Sequence, residues 1–144
     1  MGQKEDIVKT ENKIIVIRDK QVILDRDVAE LYGVETKRIN EALKNNPDKF
    51  PDGYVITLNI KEKDELVENF DRFKTLKHST VEPHAFTEKG LYMLATILKS
   101  PLATEVTIAI IETFSKVREV SRAIAKVNDD AEKGIMPKEE EQGK

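Results

Sequence analysis

Two β-branched runs flank Arg18-Asp19-Lys20 in KIIVIRDKQVIL, residues 13–24, a pattern that predicts a hairpin turning at Asp19-Lys20. From Asp25 the apolar period lengthens from two to between three and four. Val28, Ala29 and Leu31 mark the inner face of a helix over Arg26–Tyr32, with Asp25 placed to cap its first-turn amides. Ile39, Ala42 and Leu43 mark the inner face of a second helix over about Thr36–Asn45, and Val34 falls at the corner between the two. Gly33 interrupts what would otherwise be one helix. A glycine just past a helix end reaches positive φ without steric cost, so the chain can turn sharply there.

Farther on, KFPDGYVITLNI combines a Pro-Asp-Gly turn with an alternating strand centred on Tyr54–Leu58. Asn59 and Glu62 form a capping pair that opens a helix with Leu66, Val67 and Phe70 as its apolar positions. Residues 71–84, DRFKTLKHSTVEPH, read as a loop or irregular strand. Thr87 caps a helix to about Leu98, and Ser100 with Pro101 opens another. That last helix is long: Val106, Ile110, Phe114, Val117, Val120, Ile124 and Val127 recur at steps of three and four. Its early members are expected to serve the core and its late ones to meet a partner helix.

At 144 residues and 39% hydrophobic content, the chain can bury one core, so a single α+β domain is expected over residues 13–127. It would pack small β-hairpins or a sheet with a helix-turn-helix and a long C-terminal helix. Residues 1–12 are expected to be a flexible N-terminus and 128–144 a disordered acidic tail. The tail holds six acids and three lysines, a net of -3 that equals the charge of the whole chain, so residues 1–127 sum to zero. No field of the whole molecule therefore announces nucleic acid or membrane, and any such signal must be local.

The chain has no cysteine, which excludes disulfides, thiol nucleophiles and thiolate metal sites and fits a cytoplasmic protein. MGQKEDIVKTEN lacks the apolar core of a signal peptide, and no run approaches the roughly 20 apolar residues of a membrane span. His78 and His84 have no carboxylate at helical metal-site spacing, and Ser79 and Thr80 beside His78 lack a third, orienting group. Thr87-Glu88-Lys89-Gly90 has too few glycines to cradle phosphate and reads as a cap. The expectation is no enzyme activity, no catalytic residue, no cofactor, no metal and no small-molecule substrate.

Two helices joined at a glycine make the helix-turn-helix pattern, whose second helix can lie in the DNA major groove. Its outward set here is Lys37, Arg38, Asn40, Glu41, Lys44 and Asn45, led by Thr36. Arg can bond guanine O6 and N7 together, Asn can bond adenine N6 and N7, and Lys can neutralise phosphate. Arg72, Lys74 and Lys77 add a local basic excess fit for phosphate contact. The same residues also fit an ordinary helical hairpin with a solvated, mixed-charge face and a solvated loop, and at this level both readings stand.

Three ordered motifs carry a resemblance. LDRDVAELYGVETKRINEALKNNPDKFPDGYVITL behind the hairpin, PHAFTEKGLYMLATIL, and SPLATEVTIAIIETFSKVRE together resemble the KilA-N type of phage-associated DNA-binding domain, in the branch named for the N-terminal domain of open reading frame six. The resemblance spans roughly residues 13–120. It implies an α+β domain of a phage or prophage protein that binds double-stranded DNA, with transcription regulation as the expected role. The family often carries Y-A-F-T-E-Q-G where this chain has His84 and Lys89, and neither residue is assigned a base-reading role. A competing function is a protein-interaction or oligomerisation module without direct DNA binding, in which the long helix does the work. In either case Val117, Val120, Ile124 and Val127 are the expected homodimer contacts.

Overall fold

The computed structural model describes residues 12–100 and 102–132, the side chains at 103, 121 and 125–132 excepted. β1 (Ile14–Ile17) and β2 (Lys20–Leu24) pair antiparallel with Ile17 opposite Lys20, which closes the hairpin over Arg18-Asp19, one residue earlier than expected. Both turn residues lie at positive φ, 52° and 64°, the twist that a two-residue hairpin loop requires. Burial sets this register. Ile15 and Ile17 share one sheet face with Val22 and Leu24, and a slip by one residue would turn that set outward.

α1 (Asp25–Tyr32) and α2 (Thr36–Asn45) follow directly, then a short 3-10 turn at Pro47–Lys49 and β3 (Val55–Thr57). α3 (Ile60–Asn69) opens on the expected capping pair: Asn59 Oδ1 accepts from the Glu62 amide (2.8 Å), and Glu62 Oε1 accepts from the Asn59 amide (3.0 Å). Arg18 reaches across from the hairpin turn and donates to both Glu62 carboxylate oxygens (2.8 and 2.9 Å), which holds that carboxyl below its ordinary range. β4 (His84–Phe86), α4 (Glu88–Leu98) and α5 (Ala103–Glu132) complete the described chain.

The strands form one antiparallel sheet in the order β1-β2-β4-β3. Both of its faces are covered. On one face Ile23 and Phe86 meet Val28, Tyr32 and Ile39 of the helix pair, Leu91 and Leu94 of α4, and Ile110 and Phe114 of α5. On the other, Val22, Leu24 and Ala85 meet Leu66 of α3 together with Phe73 and Leu76. Burial on two sides explains why β2 ends in an unbroken apolar run without alternation.

Phe73 and Leu76 overturn the expectation of a loop or irregular strand for residues 71–78, whereas residues 79–83 are irregular as expected and His84 opens β4. Asp71–His78 is a 3-10 segment, and residues three apart stack on one side of such a turn, so these two insert together into the second cluster. The last helix starts at Ala103 and stays helical to Glu132, past residue 128 where the polar tail was expected to begin. Residues 1–11, Pro101 and residues 133–144 lie outside the described residues, and with them most of the two expected flexible ends.

Candidate nucleic-acid interface

The corner between α1 and α2 is built by backbone geometry. Gly33 sits at φ 67° and ψ 34°, and beyond it the Val34 amide donates to the Ala29 carbonyl (3.0 Å), which closes α1 in a left-handed cap. The half-buried Val34 fills the corner as expected. The second helix is anchored by Ile39 and Ala42, both essentially buried, with Leu43 half-buried against the same cluster.

At about 100° per residue, this anchor fixes what α2 presents outward. Lys37, Glu41 and Lys44 lie along the crest, and Arg38 and Asn45 lie on one flank; all five are exposed. Thr36 and Asn40 lie on the other flank and are half-buried. Asn40 therefore departs from the expected outward set: its Oδ1 is buried and has no hydrogen-bond partner among the described residues. A two-point contact with adenine requires that side chain to rotate out. At the start of α2, Glu35 makes no side-chain capping bond and the first turn holds no acid, so no acidic side chain there offsets the positive dipole end.

The flank of Thr36 and Asn40 borders a notch of about 220 Å³ whose other walls are Asp25, Arg26, Leu76 and residues 79, 81, 82 and 83. The 3-10 segment and the bend after it thus lie beside the helix. Lys74 is exposed and pairs with exposed Asp71 (3.2 Å), a contact of little net worth that a phosphate can replace. Lys77 is exposed. Arg72 is engaged within the fold, where its guanidinium meets Asp27 (3.3 Å) and lies 4.4 Å from the Phe73 ring centroid.

Two buried acids that the pattern of apolar residues passed over secure this arrangement. Asp25, expected to cap a helix from Arg26, is instead the first residue of α1, and Leu24 at the N-cap makes no side-chain capping bond; Asp25 accepts from the amides of Arg26 (2.8 Å) and His84 (3.3 Å), which ties the start of α1 to β4. Asp27 is buried between Lys13 and Arg72; burial raises its pKa, opposed by those two cations. Arg26 in turn donates to Thr75 Oγ1 (2.7 Å). The sequence offered Asp25 only as a cap for α1 and gave Asp27 no role.

The Thr87–Gly90 motif is a structural cap, as expected. Thr87 Oγ1 accepts from the Gly90 amide (3.3 Å) and donates toward the carbonyls of Gly53 (2.7 Å) and Tyr54 (3.0 Å). Glu88 accepts from the Tyr92 hydroxyl and from Arg118, joining α4 to α5. Burial, then the Glu88 carboxylate, pushes the Tyr92 hydroxyl pKa up. Among the described residues no group of three His, Asp or Glu is placed to hold a metal, and no helix is long and apolar enough to cross a membrane.

On α5, Val106, Ile110 and Phe114 are buried in the core, Val117 is half-buried, and Val120 and Ile124 are 52% and 56% exposed. The Val127 side chain lies outside the described residues. Ile108 and Ile111 are also exposed, a second apolar strip that the core-facing period had not singled out.

In comparison with known families, the ORF6N domain model aligns with residues 12–97, from the residue before the hairpin into α4. The matched stretch includes the helix pair, the basic segment and the Thr87 cap, and stops before α5, whereas the sequence resemblance was expected to reach about residue 120. No curated protein and no solved structure matches the chain.

Proposed function

This chain belongs to the ORF6N domain family, and from that premise we propose that it is a phage- or prophage-type transcription regulator that reads duplex DNA in the cytoplasm with α2. Its resemblance to KilA-N type domains points the same way. The observation that carries the reading is the exposed set Lys37, Arg38, Lys44 and Asn45 on a short helix backed by buried Ile39 and Ala42. Arg38 and Asn45 have the donors to read base edges, and Lys37 and Lys44 the charge to meet phosphate. Lys74 and Lys77 supply further phosphate contacts from the adjoining segment.

The test is selection of the intact chain on a random duplex pool, followed by fluorescence anisotropy on the retained sequence across a salt series. With about five phosphate contacts, log affinity is expected to fall against log salt with a slope of about -4 to -5. Absence of binding at low salt, or a flat salt response, contradicts the reading.

The exposed end of α5 favours a second property, self-association. Val120 and Ile124, with half-buried Val117 beside them, form a stripe whose burial is worth roughly 1.5 to 3 kcal/mol per side chain before association costs. Pairing along it gives a homodimer that can present two α2 helices to successive half-sites. Sedimentation equilibrium of the intact chain is expected to show a dimer, and Val120→Glu with Ile124→Glu a monomer. A wild-type monomer, or a dimer untouched by the two charges, rejects this interface. A dimer that binds no DNA supports instead a protein-interaction module acting through α5.

A further inference from the structure

The bend after the 3-10 segment is pinned on both sides of one exposed apolar residue. Lys63 Nζ donates to the Ser79 carbonyl (2.5 Å), Ser79 Oγ accepts from the Val81 amide (3.2 Å), and the Leu58 amide donates to the carbonyl of buried Pro83 (3.0 Å). Between these ties stands Val81, 61% exposed. An isolated exposed valine is ordinary on a protein surface. This one lines the same notch as Thr36 and Asn40 on the flank of α2.

The bend from Ser79 to Pro83 holds no cation, and Glu82 there would repel phosphate, so a backbone clamp does not fit its chemistry. A fixed apolar contact does. We propose that Val81 is a second base-reading element, packing on the 5-methyl group of a thymine at the edge of the site that α2 reads; the inference rests on the DNA-binding reading above. Thymine alone among the four bases shows a methyl group in the major groove. Because the bend is already held by its hydrogen bonds, little ordering cost is left for binding.

The test replaces each thymine of the selected duplex, one at a time, with deoxyuridine, which lacks only that methyl group. Affinities are measured for the intact wild-type chain and for Val81→Ala. At one position the wild type is expected to lose about fourfold, the worth of one buried methyl, and Val81→Ala to lose nothing. A site in which no thymine is sensitive, or in which both proteins lose equally, overturns the proposal while leaving DNA binding intact. Failure of the wild type to retain any duplex overturns the DNA-binding reading itself and this inference with it.

Discussion

Replacing Gly90 with alanine is expected to destabilise the fold by about 3 kcal/mol or more, lowering the unfolding midpoint by roughly 10 °C. The added Cβ would lie 2.0 Å from the Tyr54 carbonyl oxygen and 3.0 Å from its carbon. That carbonyl cannot move freely. It accepts from the Thr87 amide (3.1 Å) and the Thr87 hydroxyl (3.0 Å), so relief of the clash breaks the cap of α4 and its seating on β3. Out of a stability on the order of 5 to 15 kcal/mol, such a loss is large. Lys89→Ala, one residue earlier and exposed, serves as the control and is expected to change stability by no more than about 0.5 kcal/mol. Thermal and urea unfolding of both variants checks the pair, and equal stability would show that Gly90 is not the contact that seats α4.

The second large effect concerns binding. The combined replacement Lys37→Ala, Arg38→Ala and Lys44→Ala is expected to weaken the selected duplex by about 100-fold or more, because a lost base contact costs about 1 to 3 kcal/mol and tenfold corresponds to about 1.4. The three side chains are exposed, so the unfolding midpoint should stay near that of the wild type. Lys74→Ala and Lys77→Ala should instead weaken specific and random duplexes alike, since phosphate contacts carry no sequence information. Anisotropy on both duplexes measures the difference. Uniform losses for all of these variants would show that α2 reads no bases.

Where one residue type does one local job, the sequence was readable. Gly33 at the corner, the Asn59–Glu62 pair and the Thr87 cap each satisfy specific backbone groups, and each stands where the pattern placed it. Legibility failed where tertiary packing assigned the role. In DRFKTLKH the charges dominate the pattern, yet Phe73 and Leu76 are buried and Arg72 is held over the Phe73 ring. The hairpin closes at Arg18-Asp19 because the two-sided burial of β2 sets its register, overriding the ordinary reluctance of non-glycine residues to take positive φ. Asn40 looks outward by residue type, but its Oδ1 is buried and the residue lines a notch shared with the bend at 79–83. A notch shared between α2 and a bend some forty residues later leaves no periodic trace in a single chain.

Contact between one face of α2 and duplex DNA is read residue by residue from the backbone amide chemical shifts of the intact chain during titration with the selected duplex. The largest changes are expected within residues 36–45, with smaller ones at Lys74 and Lys77, and all should fade as salt is raised. Changes confined to the exposed strips of α5, or none at low salt, would contradict DNA contact through α2.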